Sequence, residues 1–387
     1  MPPASIDNLP DLSADADARR RWAIGAMLFL AATLNYIDRQ TLSILAPTIQ
    51  SELRITDPQY ANVASLFLIA YTVSLLLSGR LVDWLGSRVS MAVFITWWSV
   101  SNMLTGWVRS VGSLGVCRSL LGLGEAGNWP AATKAVAEWF PARERGTAIG
   151  FYTMGATIGA TIAPWIVIRV AGGGHWQRAF VLTGLLGLGW VLPWLWFSRS
   201  PRGAVESGPR IPEASEPESA RWRSVLLRAD IWALLVARML TDPVWFFYQF
   251  WFAKYLFSAR HVSQSGLSMT WVIFLAADLG SLLGGLASGW LIRRGSAPVA
   301  GRIRVMLVCA ILAPLSPLVA LVPSLWVSLA IAMVIVFAHL AWLVNLSAML
   351  VDVVPRRLVA TAFGVVAAGS AVGGIAMNQT VADLVTR

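Results

Sequence analysis

The sequence predicts an all-α polytopic membrane protein of two pseudo-symmetric helical bundles, and three observations lead there. Of 387 residues, 57% are hydrophobic and only 13% charged, about half the charged share of an ordinary soluble domain. Too little polar surface is left to cover a globule, so lipid is the solvent for most of the chain. Eleven long apolar stretches follow one another at 22–46, 60–80, 89–108, 111–137, 147–170, 179–198, 229–257, 267–292, 305–323, 325–351 and 359–382, each of a length suited to a membrane helix. Finally, sliding the sequence by 214 residues places Glu138 on Asp352, Pro141 on Pro355, Arg143 on Arg357, Gly150 on Gly364, Gly155 on Gly369 and Gly159 on Gly373 without a gap. A repeat of this kind marks duplicated bundles, which in transporters hold substrate near the midplane where they meet.

The net charge of +10 invites a nucleic-acid partner, but the placement of the basic residues excludes it. Twenty of the thirty lie on one side of the eleven segments, among them Arg19, Arg20, Arg21, Arg143, Arg293, Arg294, Arg356 and Arg357; seven lie on the other. That bias makes the richer side cytoplasmic, the N-terminus with it, in a multi-pass protein of the cell's inner (plasma) membrane. Residues 1–18 carry four aspartates and no basic run, so the first helix is expected to be retained rather than cleaved as a signal. Cys117 and Cys309 lie inside apolar segments, where a structural bridge is not expected.

Four domains follow. Residues 1–21 form a cytoplasmic tail and 22–198 a six-helix bundle. Residues 199–228, with Pro201, Pro209, Pro212 and Pro217 among four glutamates and six arginines, form a solvated linker. Residues 229–387 form a second bundle of five helices; six spans precede the linker and five follow, so a twelfth helix is expected to be missing at the C-terminus.

Ionisable groups inside the spans point to function, because inserting one costs about 2.5–3.5 kcal/mol. Asp38 and Arg39 sit in the middle of the first span, about 100° apart on the helix, so one can face a cavity while the other packs sideways. Arg118 and Glu125, seven apart in the fourth span, share a face; Arg238 and Asp242, four apart in the seventh, can pair. The plain alternative is a set of structural ion pairs. Arg39 and Arg238, on corresponding spans of the two halves, would together capture a carboxylate or phosphate. Asp38, Glu125, Asp242 and Arg118 would then couple protons to that capture, since a buried acid beside a guanidinium is balanced between its charged and neutral forms.

Pro243 favours a local break before the aromatic run 245–252. Trp245, Tyr248 and Gln249 offer an aromatic face and an amide suited to a sugar ring, with Tyr36 and Tyr71 assisting. His339, the repeat counterpart of Glu125, and Asn345 are cavity candidates as well, or hydrogen-bonded packing residues. The run Gly122–Gly127 matches a dinucleotide-binding pattern but lies inside an apolar helix, so close helix packing is the better reading. His175, His261 and His339 have no metal-ligand spacing and no nucleophile stands beside a base, so neither a metal, a cofactor nor an enzyme is expected.

The loop Gly79-Arg-Leu-Val-Asp-Trp-Leu-Gly-Ser-Arg88 resembles the signature of the major facilitator superfamily through Gly79, Asp83, Gly86 and Arg88. Asn35-Tyr-Ile-Asp-Arg-Gln-Thr-Leu-Ser, Gly124-Glu-Ala-Gly-Asn-Trp-Pro130 and Glu138-Trp-Phe-Pro-Ala-Arg-Glu-Arg145 are similar to its anion:cation symporter branch. Arg238-Met-Leu-Thr-Asp-Pro-Val-Trp245 with Phe337-Ala-His339 looks most like the hexuronate transporters. The resemblance implies two six-helix bundles, alternating access, and import of a sugar acid such as glucuronate or galacturonate with protons by a monomer. It implies Asp38 and Glu125 as proton-coupling acids, Arg39 as the substrate-carboxylate residue, Arg118 as the fourth-span arginine, and Asn128 among the substrate contacts. Arg238 also resembles the seventh-span arginine of organophosphate antiporters, which leaves an anion/phosphate exchanger open; a transport-inactive remnant or sensor is the other alternative. Trp84 replaces the usual basic residue of the loop, and Arg293 stands for the acid in its second-half copy.

Overall fold

A computed structural model describes residues 12–172, 175–199, 224–262 and 269–386; the expected linker lies largely outside them. The chain forms α1 (Leu12–Leu53), α2 (Asp57–Thr105), α3 (Val111–Glu125), α4 (Asn128–Trp139), α5 (Ala142–Val170) and α6 (Trp176–Phe197). After the linker come α7 (Ala229–Phe246), a π-turn (Phe247–Trp251), α8 (Phe252–Arg260), α9 (Trp271–Arg293) and α10 (Pro298–Leu312). The short α11 (Leu318–Leu321), α12 (Leu325–Val353) and α13 (Val359–Thr386) follow, with single 3-10 turns at Ala313–Leu315 and Arg356–Leu358.

Eight helices among the described residues are long and apolar enough to cross a membrane, against eleven expected segments, and the difference has local causes. The second and third segments run together in α2, interrupted at Gly86, whose φ of 77° lies in the left-handed region that glycine alone adopts freely. The fourth is divided at Ala126–Gly127 into α3 and α4, each too short to span by itself. In α1 the polar run 35–40 lowers the hydropathy of an otherwise apolar helix. Pro243 does not end α7. Its missing N–H leaves the Met239 carbonyl unpaired along the helix, and a close approach by Gly373 of α13 packs directly on that oxygen; the helix yields instead as a π-turn four residues on.

Glycine contacts give the register of the two halves. Gly155 and Gly159 of α5 lie against the Phe29 and Thr33 carbonyls of α1, and Gly369 and Gly373 of α13 against the Leu235 and Met239 carbonyls of α7. Across the halves, Gly150 meets Ser281 where Gly364 meets Leu75, and Gly79 meets Ala360 where Gly285 meets Gly146. Every pair obeys one rule: α5 maps onto α13 by the 214-residue shift, and α1 and α2 map onto α7 and α9 by a shift of 206 residues. The halves are thus related by a pseudo-two-fold axis, with α2 packed on α13 and α5 on α9 across the seam. At none of these places would a methyl group fit, which is why the repeat is written in glycine.

In this register Asp83 corresponds to Gly289. The second-half loop therefore lacks its acid at Gly289 rather than at Arg293, and the arginine-rich side is closed asymmetrically. Asp83 takes the N–H groups of Ala360 (3.2 Å) and Thr361 (2.7 Å) at the start of α13 and pairs with Lys134 at 2.8 Å. On the opposite flank Asp352 joins Arg145 and Arg302, both at 2.6 Å, while Arg302 donates to the Ala142 carbonyl at 2.8 Å. Gly79 supplies the close approach to Ala360, Gly86 the break, and Arg88 donates to the Leu195 carbonyl at 3.0 Å. Trp98, Trp194, Phe140 and Tyr152 fill the first bundle's core; Tyr248, Phe252 and Leu256 belong to one in the second.

Candidate functional site

Adjacent residues of α1 point to different places. Arg39 reaches the end of α3, where its Nε lies 2.9 Å and its second guanidinium nitrogen 2.8 Å from Glu125 Oε2. The rings of Tyr36 (5.0 Å), Tyr71 (4.7 Å) and Phe67 (5.3 Å) surround the same guanidinium, an arrangement that favours a planar cation. Arg39 keeps 25% of its side chain accessible while Glu125 has none, so the arginine stands between accessible surface and a buried acid. Arg118 lies behind them, donating to the Arg39 carbonyl at 3.4 Å; two of its guanidinium nitrogens and Glu125 Oε1 are buried without a partner. Glu125 thus pairs across helices with Arg39, not along its own face with Arg118.

Asp38 packs sideways, fully buried, and accepts from Asn102 of α2 at 2.7 Å. Asn102 also donates to Thr183 of α6 at 2.8 Å. Neither was singled out in the sequence, where single Asn and Thr residues in apolar helices give little signal.

In the second half Arg238 grips Asp242 Oδ2 through two nitrogens at 2.9 and 2.8 Å, and His339 Nε2 stands 3.7 Å from Asp242 Oδ1. The Trp342 ring stacks on His339 at 6.2 Å. Arg39 and Arg238 occupy corresponding helices but not corresponding positions: the counterpart of Arg39 is Trp245 and that of Arg238 is Ala32. Seven residues separate the two levels, about 10 Å of helix, with Arg238 nearer the arginine-rich side. Their ion pairs nevertheless meet at one level, because Glu125 and His339 are repeat counterparts. A single carboxylate between symmetric guanidinium groups is therefore not the geometry; each bundle offers its own arginine–acid pair.

Among the remaining expected contacts, Asn128 is buried with both amide atoms unpartnered, at the start of α4. Trp245 meets Phe274 of α9 edge-on at 6.3 Å, and Gln249 is half-buried in the π-turn. Tyr248 is buried on Phe247 and Phe252. Asn345 donates to the Gly284 carbonyl of α9 at 2.9 Å and to Ala341 at 2.8 Å, which ties α12 to α9. Gly122, Gly124 and Gly127 lie tight against Phe67, Trp98 and Phe94, the close packing expected of that run. The acid Asp278 of α9 faces Thr157 of α5 across the seam and carries the same signal as Asp38, an acid in an apolar run. Among the described residues no cluster of His, Cys, Asp and Glu could hold a metal.

Two bundles related by a repeat, closed on one side and holding buried ion pairs between them, is the architecture of a secondary transporter. The profile of the Major Facilitator Superfamily matches residues 28–377. The chain belongs to that superfamily. This superfamily member is 31% identical over 360 residues to the hexuronate transporter of Escherichia coli strain K12, covering 89% of this chain and 83% of the relative. It is 32% identical over 278 residues to the galacturonate transporter of Dickeya chrysanthemi, covering 68% and 80% respectively. Its fold is similar to that of the Escherichia coli fucose:proton symporter, with a TM-score of 0.68 at 15% identity over 94% of this chain and 92% of that one. It is a multi-pass membrane transporter, not an enzyme.

Proposed function

We propose that this transporter imports a sugar acid, a hexuronate or close relative, together with protons by alternating access, in a cytoplasmic membrane with its N-terminus inside. The Arg39–Glu125 pair carries the reading. With Glu125 ionised, its carboxylate occupies the guanidinium fork that a substrate carboxylate needs. When Glu125 takes a proton from outside, Arg39 is released and the substrate carboxylate replaces it; on the inside, loss of the proton restores the ion pair and expels the anion. Arg238 and Asp242 repeat the exchange from the other bundle, with His339 beside them. Tyr36, Tyr71, Asn128, Trp245 and Gln249 are assigned to the sugar body, its hydroxyls meeting the free amide of Asn128. The closure of the arginine-rich side supports an outward-facing state.

The test is uptake of radiolabelled galacturonate and glucuronate into proteoliposomes with the outside acidified. Accumulation that vanishes with a protonophore is expected. Equal uptake after collapse of the gradient sinks proton coupling, and uptake that requires internal phosphate replaces symport by anion exchange.

A further inference from the structure

The polar cluster around Asp38 is buried inside the first bundle, whereas the neighbouring Arg39 is partly accessible. Asp38, Asn102 and Thr183 are all essentially inaccessible to solvent. The groups facing the Asp38 carboxyl are Trp98 and Asn102 from α2, Thr183 from α6, and, through space, Arg118 and Glu125 from α3. Among the described residues no cation lies within ion-pair distance of it, so its nearest donors are neutral. The Asn102 amide has two hydrogens and three acceptors around it: Asp38 Oδ1 at 2.7 Å, Thr183 Oγ1 at 2.8 Å and the Phe180 carbonyl at 3.3 Å. Asn102 Oδ1 and Asp38 Oδ2 are meanwhile both buried without a partner. Two orphan acceptors on the two sides of one contact cost free energy as they stand. Bound at Asp38 Oδ1, a proton lies in an O–H bond donated to Asn102 Oδ1 once the isosteric amide turns over, so Asn102 Oδ1 gains a donor while Asp38 Oδ2 stays without one.

We propose that Asn102 is the positioning residue that sets proton binding at Asp38, donating to the carboxylate and, turned over, accepting from the carboxylic acid. The inference rests on the reading of Asp38 as a proton-coupled acid. Thr183, which bonds the same amide, holds Asn102 in place between α1 and α6.

Asn102→Ala and Asn102→Ser in proteoliposomes separate this from a packing role. Substrate counterflow, which needs no net proton movement, is expected to stay within about threefold of wild type. The pH of half-maximal net uptake of galacturonate is expected to rise by about one unit in Asn102→Ala, because the charge-assisted bond lost by the carboxylate outweighs the neutral bond lost by the acid, and less in Asn102→Ser, which keeps a donor. A pH profile superimposed on wild type with counterflow retained overturns the proposal. Infrared difference spectra of the wild-type protein with labelled asparagine give a second readout that needs no variant at Asn102. An asparagine amide band is expected to change with the same midpoint as the carboxyl band that Asp38→Asn removes; a carboxyl band that titrates alone overturns the proposal. Proton-driven accumulation that survives in Asp38→Asn removes the coupling role of Asp38 itself, and this inference falls with it.

Discussion

Arg39 is the residue on which the proposed recognition turns, because it alone among the described residues combines a buried acid partner, three aromatic rings and a partly accessible guanidinium. Arg39→Ala is expected to lower the initial rate of sugar-acid uptake at least 100-fold. Arg39→Lys is expected to recover little of it, since an ammonium keeps the charge but not the planar fork that grips a carboxylate with two parallel bonds. Glu125→Gln is expected to behave differently, retaining counterflow while losing accumulation driven by a proton gradient. Measuring both activities on one preparation checks the assignment, and loss of counterflow as well would make Glu125 a substrate contact rather than the proton site. Asp38 and Arg39 show how one helix serves two sites: a step of one residue turns the side chain by about 100°, from the bundle interior to a partly accessible position against α3.

At the scale of the element, glycine sets how closely helices approach. Gly373 lies where Pro243 has freed the Met239 carbonyl, and a methyl group there would overlap that oxygen. Gly373→Val is therefore expected to cost about 1–3 kcal/mol through forced separation of α13 from α7, read as a lower midpoint of thermal unfolding in detergent. Gly189 is the control. Nothing stands within 4 Å of a Cβ built on it, so Gly189→Ala is expected to leave the midpoint unchanged or raise it slightly, as removing a glycine from a helix gains about 1 kcal/mol. A loss at Gly189 as large as that at Gly373 would show that the glycines at helix contacts have no special role.

The whole molecule is held on its arginine-rich side by two different locks related by the pseudo-two-fold axis. One uses a carboxylate, Asp83, on the N-terminal N–H groups of α13, where the helix dipole favours an anion. The other uses Asp352 between Arg145 and Arg302, because Gly289 leaves no acid at the position matching Asp83. Breaking a buried pair by removing one partner typically costs about 3–5 kcal/mol. Asp352→Asn is thus expected to shift the population toward a state open on the arginine-rich side. Electron–electron distance measurements between spin labels at the exposed positions 84 of α2 and 293 of α9, both on the arginine-rich side, would report longer separations than in wild type. Unchanged distances would show that the Asp83 lock suffices alone.

Composition, the eleven apolar segments and the 214-residue repeat determined the class of the molecule and its two-bundle plan, because the bilayer allows few ways to satisfy a backbone and repeats fold alike. The i,i+4 spacing likewise determined the Arg238–Asp242 pair, a contact within a single helix. Tertiary structure alone decided the rest. That Glu125 pairs with Arg39, that Asp38 looks inward to Asn102, and that Arg39 and Arg238 stand two turns apart all depend on the rotation and register of packed helices. Those are fixed by carbonyl–glycine contacts between segments distant in sequence, which periodicity along one helix does not encode.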